Sequence, residues 1–158
     1  MKTTFLLLVA LTTVTVANGQ IPGRRAMSAA ANQSTTGTIT LGKLIAQLTE
    51  NINPSALKPA FAQNERNFIQ RANTTVQIAT LAALVKSLQA GLKPTAFGPN
   101  WAYVSGQWLS DVNNIQTVQD AANLVNTLSD NLDPSAYAAQ WEPQEKPSFK
   151  GSINSVTQ

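Results

Sequence analysis

Few side chains in this sequence could do chemistry, and their types narrow the options at once. There are eight carboxylates, Glu50, Glu65, Asp111, Asp120, Asp130, Asp133, Glu142 and Glu145, while cysteine and histidine are absent. That removes thiol nucleophiles, disulfides, the usual zinc sites, triads built on an imidazole base and histidine pH switches. Carboxylate chemistry remains, as a hydrolytic pair or a calcium loop. Asp130 and Asp133 flank one corner in Asp130-Asn131-Leu132-Asp133. A calcium loop needs more oxygen ligands at defined spacing, so the pair reads as a helix end followed by an N-cap. No glycine-rich phosphate loop follows a strand pattern and no G-x-S-x-G occurs. The expectation is a protein that is not an enzyme, with no catalytic, cofactor-binding or metal-ligating residue.

Aromatic side chains are the next candidates. Trp101, Trp108 and Trp141, with Phe61, Phe97 and Tyr137, could line an apolar pocket between helices and contact a ligand or partner. The other reading, favoured by their recurrence at equivalent positions, is that the rings fill the joints between repeats, where large side chains bury most area. Two sequons, Asn32-Gln33-Ser34 and Asn73-Thr74-Thr75, make Asn32 and Asn73 candidate glycosylation sites and call for exposed loops at both.

The start of the chain supplies an address. Lys2 precedes the apolar run Phe5 to Leu11, and Ala17-Asn18-Gly19 offers small residues at a cleavage site, so 1–19 reads as a secretory signal peptide. The run is shorter than the about 20 apolar residues a membrane span needs, and no later segment approaches that length. A secreted, extracellular product without a membrane span is expected. Directly after it stands Gln20-Ile21-Pro22-Gly23-Arg24-Arg25, a glycine before a dibasic pair. This resembles the processing pattern of thyrotropin-releasing-hormone-type precursors. The resemblance covers six residues in a single copy, makes Arg24 and Arg25 candidate processing residues and implies an amidated peptide from 20–22.

These side chains must be positioned by an architecture, and that is written in an interval of forty. Pro54, Pro94 and Pro134 are forty residues apart, as are Leu44, Leu84 and Leu124, and Leu48, Leu88 and Leu128. The register continues through Ile52, Leu92 and Leu132 to the columns Leu57, Phe97, Tyr137 and Phe61, Trp101, Trp141. Within one copy, Leu41, Leu44, Ile45, Leu48 and Ile52 fall at i, i+3, i+4, i+7 and i+11, the apolar stripe of an amphipathic helix. Asn51, Gly91 and Asn131 then suit a left-handed helix stop. Asn53-Pro54 and Asp133-Pro134 suit an N-cap with proline opening a second helix, and Lys93-Pro94 lacks the capping side chain.

The expected fold is therefore all-α: three tandem helix–corner–helix repeats of about 40 residues, packed as a closed helical bundle or a short α-solenoid. The repeat does not match the tetratricopeptide or ankyrin patterns. The units are about 38–77, 78–117 and 118–141, after a flexible leader over 20–37 and before an extended tail over 142–158, where Pro143, Pro147 and Gly151 oppose a long helix. Residues 102–112, around Ser105-Gly106, fit a helix or a short hairpin.

Charge completes the reading. Charged residues make up 12% of the chain, against about a quarter in average globular proteins. From Gln20 to Asn100 eight basic residues face two acidic ones, and from Trp101 onward two basic residues face six acidic ones. Such asymmetry favours head-to-tail association. The basic residues are scattered, which does not describe a nucleic-acid surface. The leading expectation is a secreted helical protein acting by extracellular binding or assembly, through a protein partner or self-association. The alternative is a carrier of small apolar ligands held between the helices.

Overall fold

Residues 22–156 are described in a computed structural model, with side chains described from residue 35 onward. The stretch 1–19 read as a signal peptide, and Gln20 after it, lie outside the described residues. The chain divides into an N-terminal unit ending at Gln33 and a main unit from Ser34 on. Six α-helices follow in order among the described residues: α1 Pro22–Glu50, α2 Pro59–Thr74, α3 Ile78–Gly91, α4 Trp101–Val112, α5 Val118–Asp130 and α6 Lys146–Val156. None is long and apolar enough to cross a membrane.

The stretch read as a leader is helical from Pro22 on. Ala26, Ala29, Ala30 and Ala31 carry the highest helix propensity of any residue, which outweighs the nearby Ser, Thr and Gly. Arg24, Arg25 and Asn32 fall on this helical backbone, and their side chains are outside the description.

In the main unit the apolar stripe does what its spacing predicts. Leu41, Leu44, Ile45 and Leu48 of α1, Leu81, Leu84, Val85 and Leu88 of α3, and Leu124, Val125 and Leu128 of α5 are all buried in one cluster. Helix α3 packs on α2, α4 and α5, and α5 packs also on α4 and α6. Gly42 permits one close approach: a Cβ there would collide with the Ala72 carbonyl oxygen at the end of α2.

Each of α1, α3 and α5 ends in a corner. Pro54–Ala56, Pro94–Ala96 and Pro134–Ala136 are three-residue 3-10 turns flanked by extended residues, rather than the start of a second helix. The helix stops also differ from the left-handed expectation, because no described residue has a positive φ. At two of them an asparagine reaches back instead: Asn51 Nδ2 donates to Gln47 O at 2.9 Å and Asn131 Nδ2 to Thr127 O at 2.8 Å. Beyond each stop the backbone extends and pairs with another corner. Antiparallel bridges join Leu57 to Leu92, Phe97 to Leu132, and Tyr137 to Ile52, so every corner is tied to the other two. Their hydrogen bonds have N–H donors at 53, 93 and 133 and at 58, 98 and 138, with lengths of 2.7–2.9 Å.

The residue before each corner proline decides a local detail. Asn53 does not cap its own turn. Its Nδ2 instead donates to Ser135 O and Tyr137 O on the neighbouring corner. Lys93 Nζ likewise reaches across, to Ser55 O at 2.8 Å. Asp133 has no hydrogen to donate and folds back, accepting from Ser135 N and from Ser135 Oγ. Those bonds hold its carboxyl below the usual range.

Of the two readings open for residues 102–112, the helix is the one formed, over Trp101–Val112. The tail read as extended instead forms α6, whose Phe149 and Ile153 are buried in the core. A π turn over Trp141–Glu145 inserts one extra residue, so Phe149 and Ile153 take up the core after a shift of one position. Pro147 follows directly; lacking an N–H, it loses nothing where the wide turn has already interrupted the ordinary helical bonds.

One cap carries a prediction. Thr117 Oγ1 accepts from Asp120 N at 3.0 Å, while Asp120 Oδ2 accepts from the N–H groups of Gln116 and Thr117. These backbone bonds hold the Asp120 carboxyl below its ordinary range. Thr117→Ala should lower stability by about 0.5–2 kcal/mol in urea unfolding, with no change in secondary-structure content.

Candidate functional site

Three joints connect the aromatic column to the preceding corner and the facing helix, and they are filled to different degrees. At one, Trp101 stacks on Phe97 with ring centroids 4.6 Å apart and meets the edge of Trp108 at 5.6 Å. The Trp108 indole N–H donates to Leu124 O at 2.9 Å. At the next, Trp141 stacks on Tyr137 at 4.9 Å and leans on Phe149 at 5.2 Å. Tyr137 Oη donates to Ser129 O at 2.9 Å. Burial, reinforced by the Asp130 and Glu142 charges, pushes the phenol far above its usual range. The Trp141 indole N–H is buried and donates to no protein acceptor, a cost that the ring's burial against two aromatic neighbours offsets.

The remaining joint, between α2 and α3, is open. Leu57 stands where the others carry Phe97 and Tyr137, so Phe61 has no ring at that position to stack on. It keeps only the tilted contact with Phe68, centroids 5.0 Å apart, that corresponds to Trp101–Trp108 and Trp141–Phe149 in the other joints. It also lies over Gly91, where any Cβ would collide with its ring. A groove of about 580 Å³ results. Phe61, Asn64, Phe68 and Arg71, spaced by three or four residues along α2, form one wall. Ser87, Ala90 and Gly91 of α3 form the other, and Lys58 stands at the mouth. Arg71 and Lys58 are exposed, and no carboxylate lines the groove. The site therefore offers an apolar floor, amide and hydroxyl groups on its sides, and two cations at its rim.

No family model, curated protein or solved structure matches the chain. What the groove can do must therefore be read from its own geometry.

The tryptophans singled out by sequence are divided by the structure. Trp108 and Trp141 are 2% and 0% exposed, core residues with no face for a ligand. Trp101 is half-buried and borders a smaller groove of about 400 Å³ with Lys58, Leu92, Pro94 and Phe97. Asn73 lies on the exposed last turn of α2 rather than on a loop, with Thr75 of its sequon buried. Among the described residues no three acidic side chains gather into a metal-binding group. Two pairs of carboxylates do share pockets. Asp111 and Asp120 border one of about 220 Å³, where Asp120 is engaged in its cap. Glu50 and Glu65 border another of about 400 Å³ with Arg66 and Ile69, and burial plus the Glu50 charge raises the Glu65 carboxyl.

Of the groove residues only Phe61 stands out in the sequence, as one of the aromatic column; Asn64, Phe68, Arg71, Ser87, Ala90 and Gly91 carry no such signal. Here the opening arises where each column holds its smallest member. Phe61 stands against Trp101 and Trp141, and Gly91 against Asn131 and Asn51. That coincidence was present in the sequence, but only the fold shows that 57–71 and 87–91 belong to one joint.

Proposed function

We propose that this chain is a secreted, non-enzymatic helical protein that acts by binding, and that its main unit is a closed ring of three forty-residue units. The ring is supported by the three corner bridges, whose donors and acceptors recur at intervals of forty and lead from the third corner back to the first. Secretion rests on the apolar, cleavable start of the sequence. Binding rests on one observation: two of three comparable joints are packed with stacked aromatic rings, and the third is left as an open groove. Packing interactions favour closing such a space, so an opening at one joint of three marks it as the working surface.

The groove gives specific weight to a carrier of small ligands beside binding or assembly with a protein. Expression of the full chain in a secretory host, followed by light scattering and native mass spectrometry, separates these readings. The expected product is cleaved after Gly19 and either retains a small molecule or associates with itself or a partner. A chain retained uncleaved in the cell, or one that stays monomeric, carries nothing and turns over a substrate, would sink the proposal.

A further inference from the structure

The two closed joints serve as an internal template for what the open one lacks. In both, an indole lies flat on a neighbouring ring, 15° from Phe97 for Trp101 and 17° from Tyr137 for Trp141. In the α2–α3 joint neither the indole nor the ring beneath it is present, and Phe61 has moved onto Gly91. The groove left there is lined by the rings of Phe61 and Phe68, an apolar surface on which a flat ring can lie. At about 580 Å³ the groove falls within the range of small-molecule sites, about 300–1,000 Å³.

Charge differs in the same place and by the same comparison. Ala90 stands where the other joints carry Asp130 and Glu50, Arg71 where one carries Asp111, and Lys58 where they carry Gly98 and Ala138. Two of these columns lose an acid, to Ala90 and to Arg71, and the third gains a base, Lys58, in place of a neutral residue. Neither Lys58 nor Arg71 forms one of the chain's described ion pairs, which are Lys146–Glu142 and Lys150–Asp130. An occupant with a flat apolar body and one negative charge would satisfy both differences.

We infer that the groove between α2 and α3 binds a small planar aromatic acid, its ring against Phe61 and Phe68 and its anionic group towards Arg71 and Lys58. This rests on the binding reading above and names the ligand class for that site. The ring supplies most of the affinity through buried apolar area, and the exposed cations select the sign of charge.

The test uses naphthalene-2-carboxylate as probe on the secreted chain, with calorimetry for affinity and NMR amide shifts for location. One site per chain is expected, with shifts concentrated at 58–71 and 87–92. Decanoate and 2-naphthylmethylammonium should bind about tenfold more weakly or worse, since one lacks the ring and the other the charge. Phe61→Trp restores the indole of the closed joints and should abolish binding. Arg71→Gln alters an exposed side chain, keeps the fold intact and should weaken binding by about three- to tenfold. Equal affinity in the wild type and Arg71→Gln, equal affinity for the cationic probe, shifts centred elsewhere, or no binding at millimolar probe would each overturn the inference. Light scattering on the same samples separates the two levels. Self-association without probe binding overturns the ligand class and leaves the binding reading standing, whereas an inert, ligand-free monomer overturns both.

Discussion

Leu88→Ala should lower the free energy of unfolding by about 2–5 kcal/mol, a large share of the about 5–15 kcal/mol that holds a typical domain together. The reason lies in what the chain lacks as much as in what it has. There is no disulfide, and the two ion pairs among the described residues are both partly exposed to solvent. Such pairs contribute about 0–1 kcal/mol each. Stability must therefore come from apolar burial, and Leu88 is fully buried in the cluster shared by α1, α3 and α5. Truncation removes transfer energy and leaves a cavity that the surrounding helices close only in part. Leu84, equally buried on the same face of α3, should behave alike. Exposed Ser87 provides the contrast, with Ser87→Ala staying within about 0.5 kcal/mol. Urea unfolding followed by circular dichroism reads all three, and near-neutral results at both leucines would remove the helical core as described.

Phe149→Ala should cost about 3–5 kcal/mol. Phe149 is 0% exposed, packs its ring 5.2 Å from Trp141, and anchors α6 to the core together with Ile153. Lys150 adds polar ties from α6 to Asn126 and Asp130 of α5. Loss of the ring uncovers one side of Trp141, so the tryptophan emission should shift to longer wavelength in the native state. If the segment were an extended tail, the substitution would change neither the unfolding curve nor the emission.

That second result bears on how much the sequence could reveal. The helical class was legible because the stripe through Leu41, Leu44, Ile45 and Leu48 has one physical interpretation, and its counterparts in α3 and α5 share it. Helix α6 was hidden for a countable reason. The π turn over Trp141–Glu145 moves Phe149 and Ile153 one residue off the forty-residue interval, and Pro143 and Pro147 read as breakers when the turn is unseen. The corner asparagines were misread because side-chain type does not reveal partner. Asn53 has the chemistry of an N-cap, yet its amide donates across to another corner, which no local pattern encodes. The candidate groove was the least legible feature. Its walls come from the two consecutive helices α2 and α3, brought face to face only by the fold, and its defining property is small size, which carries no motif.

The central claim is that the three corners close into a ring, and the amides of Asn53 and Ala138 test it most directly. They donate to Ala136 O and Asn51 O and are the bonds that join the last corner to the first. The corresponding pairs, Lys58 with Lys93 and Gly98 with Asp133, join corners consecutive along the chain and would survive in an open solenoid. Amide hydrogen exchange followed by NMR at these six positions distinguishes the two arrangements. The ring predicts that Asn53 and Ala138 are protected to the same degree as the other four, since all six open only with the core. Rapid exchange at Asn53 and Ala138 beside slow exchange at Lys58, Lys93, Gly98 and Asp133 would contradict it.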